Sequence, residues 1–243
     1  MRTNKHWLIA AWCGACCALA HAVTPMVSMS DSHALALRSD GTVLAWGSDA
    51  YGQLGVGRTL VSTVPSKVAG VLNARSIAAG ASHSLAVRQD GTIWAWGSNN
   101  AGQLGDGTSV DRSSPVQVQG ISNAVMSCAG GIHSAALRQD GTVLAWGNNW
   151  FGQLGNGSTG WSSAPAQVLG LTSATSIACG GDQTLALLQD GTVRAWGANS
   201  NGQLGDGTTT DRTLPVTVSG LSNVVAINAT VALKRDGTVW EWG

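Results

Sequence analysis

Charge is scarce in this 243-residue chain, where Asp, Glu, Lys and Arg make up 11% of residues and thirteen acids face thirteen bases. So few cations in so even a balance leave no basic footprint for a phosphate backbone, which excludes nucleic acid as a partner class. Long apolar runs are missing as well. The longest, Trp7 to Ala20, has 14 residues, short of the roughly 20 that a membrane helix needs. No 3.6-residue period is sustained anywhere, so helices are not expected. Phenylalanine and tyrosine occur once each, and three of the five cysteines (Cys13, Cys16, Cys17) crowd into the first 22 residues.

That first segment has a function of its own. Arg2 and Lys5 precede the apolar run, and Ala18-Leu19-Ala20 and Ala20-His21-Ala22 both satisfy the small-x-small cleavage rule. Residues 1–22 therefore read as a secretory signal peptide, with the mature chain starting at His21 or Val23. Lipidation fits poorly, because Cys13 and Gly14 stand three residues before Cys16 and Cys17. The other two cysteines, Cys128 and Cys179, occupy neighbouring but unequal repeat positions, equivalent to Ala78 and Ala79. Neighbouring strand positions face opposite ways. Two separate buried thiols are therefore expected, even in an oxidising compartment.

What the chain has is repetition. Asp-Gly-Thr-Val-Leu-Ala-Trp-Gly at Asp40 returns, nearly unchanged, at Asp90, Asp140 and Asp190, a spacing of 50 residues, and a fifth copy begins at Asp236 after only 46. Gly-Gln-Leu-Gly recurs at Gly52, Gly102, Gly152 and Gly202, followed by Pro65, Pro115, Pro165 and Pro215. No linker interrupts the series, so residues 23–243 form one repeat domain with units of about 25–74, 75–124, 125–174, 175–224 and a partial 225–243. Within a unit, Ser76–Ala79, Ser84–Arg88 and Thr92–Trp96 read as strands, and Asp90-Gly91 between the last two is a hairpin signal. A fourth strand follows Pro115, on an outer edge. Four short antiparallel strands, the first of small residues, make a blade whose inner strand crowds an axis. An all-β fold is expected, a β-propeller of four full blades and a partial fifth. A stacked solenoid competes, but it needs polar end caps that are not seen. The short last unit leaves two readings, a small ring of five blades or a piece of a larger ring. An unpaired edge invites association with another chain.

The recurring polar residues fit structure better than chemistry. His33, His83 and His133 share one repeat position that Gln183 fills in the fourth unit. Glutamine replaces the hydrogen bonds of histidine but is a poor zinc ligand, and whole sheets separate equivalent points. The Asp-Gly aspartates lack the spacing of a calcium loop. Gly-Gln-Leu-Gly lacks the lysine and helix of a phosphate loop. No nucleophile with a base breaks the pattern, so no catalytic residue, metal or cofactor is assigned.

Departures from the repeat are more informative, since the fold accounts only for shared positions. Tyr51 and Phe151 stand just before Gly-Gln-Leu-Gly, where other copies have Ala101 and Asn201. Trp150 precedes Phe151, and Trp161 replaces Val61, Asp111 and Asp211. Tyr51, Trp150, Phe151 and Trp161 are the candidate binding residues, as exposed aromatic anchors. Covering the blade edge is their alternative role.

The ordered set Gly-Gln-Leu-Gly-[Asp/Asn]-Gly, Pro-x-x-Val, Ala-Gly-x-x-His-Ser and Asp-Gly-Thr-Val-x-Ala-Trp-Gly, spanning Val27 to Gly243, resembles the regulator of chromosome condensation repeat. With the leader, the resemblance implies a member of the bacterial exported type, secreted or held in the cell envelope. Members are commonly seven-bladed. The loop features behind nucleotide exchange on a small GTPase have no counterpart here, and neither does the Gly-Trp-Arg-His-Thr of the plant ultraviolet-B receptor. A secreted inhibitor of β-lactamases is similar in its repeat and binds through loop aromatics. The resemblance therefore implies a non-enzymatic propeller that binds a protein or glycan partner through its loops, as an enzyme inhibitor or as a surface scaffold or adhesin. An exchange-factor-like regulator is the remaining analogy.

Overall fold

The computed structural model describes residues 23–243, so the signal-peptide expectation for residues 1–22 lies outside the described residues. Nineteen strands form five antiparallel sheets, each of consecutive strands. The first blade comprises β1 (Met26–Met29), β2 (His33–Leu37), β3 (Val43–Gly47) and β4 (Ser62–Lys67). The second comprises β5 (Ala74–Ala79), β6 (His83–Arg88), β7 (Ile93–Gly97) and β8 (Arg112–Gln117). The third is β9 (Ala124–Ala129), β10 (His133–Arg138), β11 (Val143–Gly147) and β12 (Ser162–Gln167); the fourth is β13 (Ala174–Cys179), β14 (Gln183–Leu188), β15 (Val193–Gly197) and β16 (Arg212–Thr217). The fifth has only three strands, β17 (Val224–Asn228), β18 (Val231–Lys234) and β19 (Val239–Glu241).

The Asp-Gly turns behave as their chemistry dictates. Asp40 Oδ1 accepts from the Thr42 amide at 2.9 Å, and the Gly41 amide donates to the Arg38 carbonyl at 2.9 Å. The glycine of this turn takes a φ of +79° in the second blade, and a Cβ on Gly91 would run into the Ser122 carbonyl. The outer strand starts earlier than expected. In β8, Pro115 lies inside the strand, in the stretch where the register shifts between Ala95 and Gly97. A bulge on an edge strand tolerates a residue without an N–H.

The small inner strands face a common centre. Residues of β1, β5, β9, β13 and β17 together line a central cavity of about 240 Å³. Extensive contacts run from each blade to the next, and among the described residues none of comparable extent joins the fifth blade to the first. Val27 and Met29 of β1 are accordingly exposed, as are Leu233 and Val239 of the fifth blade. Where three residues join the first two strands of every other blade, two do so here, and Asn228 pairs directly with Val231.

Apolar cores lie between blades. Leu35, Leu37, Val43 and Leu54 of the first blade pack on Ile77, Ala86 and Trp96 of the second. Trp96, Trp146 and Trp196 are fully buried in such interfaces, where truncation to alanine costs about 3 to 5 kcal/mol each.

The expectation of two separate thiols is overturned: Cys128 and Cys179 form a disulfide with their Cα atoms 5.5 Å apart. They belong to the inner strands β9 and β13 of adjacent blades. Adjacent blades turn opposite sheet faces toward one another, so positions of opposite parity are the ones that meet. Ala78 and Ala129 repeat the juxtaposition between the second and third blades. Parity within one sheet does not decide which side chains meet across two.

Candidate binding site on the loop end

The repeat histidines settle the architecture beneath the site. The Ser84 hydroxyl donates to the Gln53 carbonyl at 2.8 Å, so the 2.8 Å bond between His33 and Ser84 must be donated by His33 Nε2–H. Trp96 Nε1 donates to the same carbonyl at 2.8 Å. His83, Ser134, Gln103 and Trp146 repeat this relay, as do His133, Thr184, Gln153 and Trp196. Between the fourth and fifth blades only the Trp242 bond to the Gln203 carbonyl remains, at 3.0 Å. Burial lowers the pKa of His33 and His133 to about 4 and that of His83 to about 3, so all three are neutral. They are structural ties. Among the described residues no group of three or more His, Cys, Asp or Glu could hold a metal ion.

Above the relays, the long loops joining third to fourth strands emerge at one end of the propeller, and their chemistry alternates. In the second blade Asp111 Oδ1 accepts from the Asn99 amide at 2.7 Å, and Arg112 reaches Asp106 Oδ2 at 2.9 Å. In the fourth, Asp211 accepts from Asn199 at 2.7 Å and Arg212 reaches Asp206 at 2.7 Å. Burial works to raise the Asp206 pKa, but hydrogen bonds from Thr208, Arg212 and Asn199 prevail and hold it at about 2. Asp106 is lowered by the same balance.

The first and third blades lack this brace. Val61-Ser62 and Trp161-Ser162 replace the Asp-Arg pair, and Val56 and Asn156 replace the carboxylate. In the first blade Asp49 stands where Asn99, Asn149 and Asn199 lace their loops. Its Oδ1 accepts from the Leu54 amide at 2.8 Å, while Oδ2 is buried without a partner, and burial raises its pKa.

The four candidate aromatics sit on these two unbraced loops. Trp150 is 72% exposed, Trp161 56%, Tyr51 48% and Phe151 37%. Trp150 and Trp161 come together with Ile132, Ala101, Asn100 and Asn148 in a cleft of about 210 Å³ between the second and third blades. Tyr51 belongs to the first blade, and neither it nor Phe151 lines the cleft. Sequence reasoning missed Ile132, Asn100 and Asn148. Ile132 carried a signal, since Ser32, Ser82 and Asp182 fill its position in other copies. The close approach of neighbouring blades comes from the Gly-Gln-Leu-Gly loop, where a Cβ on Gly102 would run into the Ser163 backbone.

An all-β propeller with a structural core and chemically distinct loops on one end defines a class of repeat scaffolds whose variable loops are the available recognition surface. The chain belongs to the RCC1-like domain family, whose model matches residues 16–230. It is similar to human WBSCR16, with 28% identity, a TM-score of 0.77, and 85% of this chain and 56% of that one covered. It is also similar to Prp20p of Saccharomyces cerevisiae, with 25% identity, a TM-score of 0.70, and coverage of 80% and 50%. That yeast protein is described with its binding properties to Gsp1p and histones. A second structure of yeast RCC1 (Prp20), bound to Kap60, matches at 24% identity and a TM-score of 0.70, with coverage of 80% and 48%. The chain spans about half the length of these structures. The fold supports a non-catalytic, protein-binding role in general terms.

Proposed function

We propose that this protein is an exported, non-catalytic propeller that captures a protein partner on its loop end, in the manner of a secreted enzyme inhibitor. The observation that carries the reading is the gathering of exposed Trp150, Phe151 and Trp161 on a loop that has given up the polar brace of its neighbours. Large aromatics near the centre of a contact contribute most of its energy. A protein is favoured over a glycan by the number of apolar groups on these loops: Tyr51, Leu60 and Val61 of the first blade and Val110 of the second are exposed as well. Export draws support from the Cys128–Cys179 disulfide, a bond that persists in oxidising compartments. The protein partners named for yeast Prp20 point the same way.

The test is direct binding to a partner recovered by crosslinking from the envelope or medium and then purified, with inhibition of purified β-lactamases assayed in parallel. Replacing Trp150, Phe151 and Trp161 together by serine weakens capture by about a hundredfold or more and leaves the thermal midpoint unchanged. A collapse of the midpoint would assign the three aromatics to the blade edge instead.

A further inference from the structure

The cleft between the second and third blades has a one-sided hydrogen-bonding chemistry. Asn148 Oδ1 accepts from the Trp150 amide at 3.1 Å, which fixes the orientation of that side chain and leaves Nδ2 free. Gln103 Oε1 accepts from the Ala101 amide at 2.9 Å, so its Nε2 is the donor to Asn100 Oδ1 at 3.2 Å, and Asn100 Nδ2 is free in turn. Among the described residues, neither amide nitrogen nor the indole N–H of Trp150 or Trp161 has a protein acceptor within hydrogen-bond distance. The side-chain groups lining the cleft that make no hydrogen bond at all are thus N–H donors, while each of the two amide oxygens already accepts one bond. The remaining walls are the two indoles, Ile132 and Ala101, and no lining residue is charged.

A ligand matched to such a site has an apolar body, hydrogen-bond acceptors and few donors. A pyranose fits badly, because each hydroxyl brings a donor. An ordinary extended peptide brings an amide N–H at every residue. Proline alone among the residues of a protein offers a carbonyl without an N–H, together with a flat apolar ring that packs on indole. Prolyl segments also hold the polyproline II conformation before binding, so little ordering entropy is lost.

We propose that this cleft is a docking site for a proline-bearing, polyproline II segment of the partner, with prolyl rings between Trp150 and Trp161 and prolyl carbonyls accepting from Asn100 and Asn148. The proposal rests on the reading of the loop end as a protein-binding surface and assigns its central pocket a chemistry.

The probe is acetyl-hexaproline-amide, titrated into the full protein while the 15N-labelled indole N–H signals are followed. Methyl β-glucopyranoside and an acetylated Gly-Ser hexapeptide amide serve as comparators. The expected result is saturable movement of the Trp150 and Trp161 signals by the proline peptide alone. Asn100→Asp with Asn148→Asp keeps both acceptors that the fold uses and replaces both free donors by carboxylate oxygens. This double variant remains folded, as a cooperative thermal transition reports, and binds at least about tenfold more weakly, as expected for two lost hydrogen bonds. Unmoved indole signals, preference for the glucoside, or undiminished binding by a folded double variant would overturn the proposal. Partner capture that survives the double aspartate variant but not the triple serine variant would overturn the cleft chemistry alone; loss of neither would sink the functional reading itself.

Discussion

The axis side of this propeller and its loop end handle repetition in opposite ways. Near the axis, three successive interfaces carry the same histidine, hydroxyl, carbonyl and indole relay, with bonds that stay between 2.8 and 3.0 Å. At the loop end, the second and fourth blades lock their loops with an Asp–Arg pair, and the first and third present apolar side chains instead. Positions under a packing constraint are copied faithfully, while positions free of it vary. Stability and recognition therefore rest on largely different side chains that meet at Gln103, whose carbonyl closes a relay and whose amide orients Asn100, and perturbing other members of one set should leave the other untouched.

Acid puts the axis side to the hardest test. The folded pKa values of His33, His83 and His133 lie near 4, 3 and 4, below the unfolded value of 6.5. Because the unfolded chain then binds more protons, stability is complete above about pH 6.5 and falls as the pH drops toward 4. The loss is on the order of 3 kcal/mol for each histidine at pH 4, enough in total to unfold a typical domain. Equilibrium denaturation as a function of pH measures it. Replacing all three by glutamine, as the fourth blade has done at Gln183, should flatten the profile; an unchanged acid limb in that variant would assign the sensitivity elsewhere.

Removing the disulfide by Cys128→Ser with Cys179→Ser comes next. A crosslink between residues 51 apart constrains the unfolded chain by about 4 kcal/mol, so the denaturation midpoint falls while partner affinity at neutral pH holds. A parallel loss of affinity would show that axis and loops are coupled after all.

Transplanting the brace sharpens the contrast from the other side. Asn156→Asp, Trp161→Asp and Ser162→Arg give the third blade the loop chemistry of the second. Capture should weaken by at least about tenfold through loss of one aromatic anchor, with thermal stability kept or raised. The smallest effect belongs to Arg112→Ala and Arg212→Ala. Their side chains are 36% and 35% exposed and the partner carboxylates only 7% and 6%, but Asn99, Thr108, Asn199 and Thr208 still bond those carboxylates, so the cost is about 1 kcal/mol each. Amide exchange should quicken in residues 106–112 and 206–212 and nowhere else.

Much of the fold was legible because its signals are local. Asp-Gly turns, alternating strands and the spacing of 50 residues each act within one unit, and the strands fell where they were expected, apart from the early start of β8. The histidines were read as structural, but their partners were invisible, since His33 meets Ser84 only once two blades pack. The disulfide was misjudged for the same reason: whether Cys128 faces Cys179 depends on which sheet faces oppose, a property of the assembled ring. At the candidate site, Trp150 and Trp161 stood out as departures from the repeat. Asn148 did not, although Ser48, Ser98 and Ala198 fill its position in the other copies, because asparagine is an ordinary turn residue.

The relay has an evolutionary corollary. Each unit from the first to the third gives a histidine and a glutamine carbonyl to its successor, and each from the second to the fourth gives a hydroxyl and an indole to its predecessor. An internal unit carries both halves of the tie, like a link with a hook and an eye. Tandem duplication of such a gene segment therefore inserts a new blade already equipped to join both neighbours, and only its loop remains for selection to rewrite.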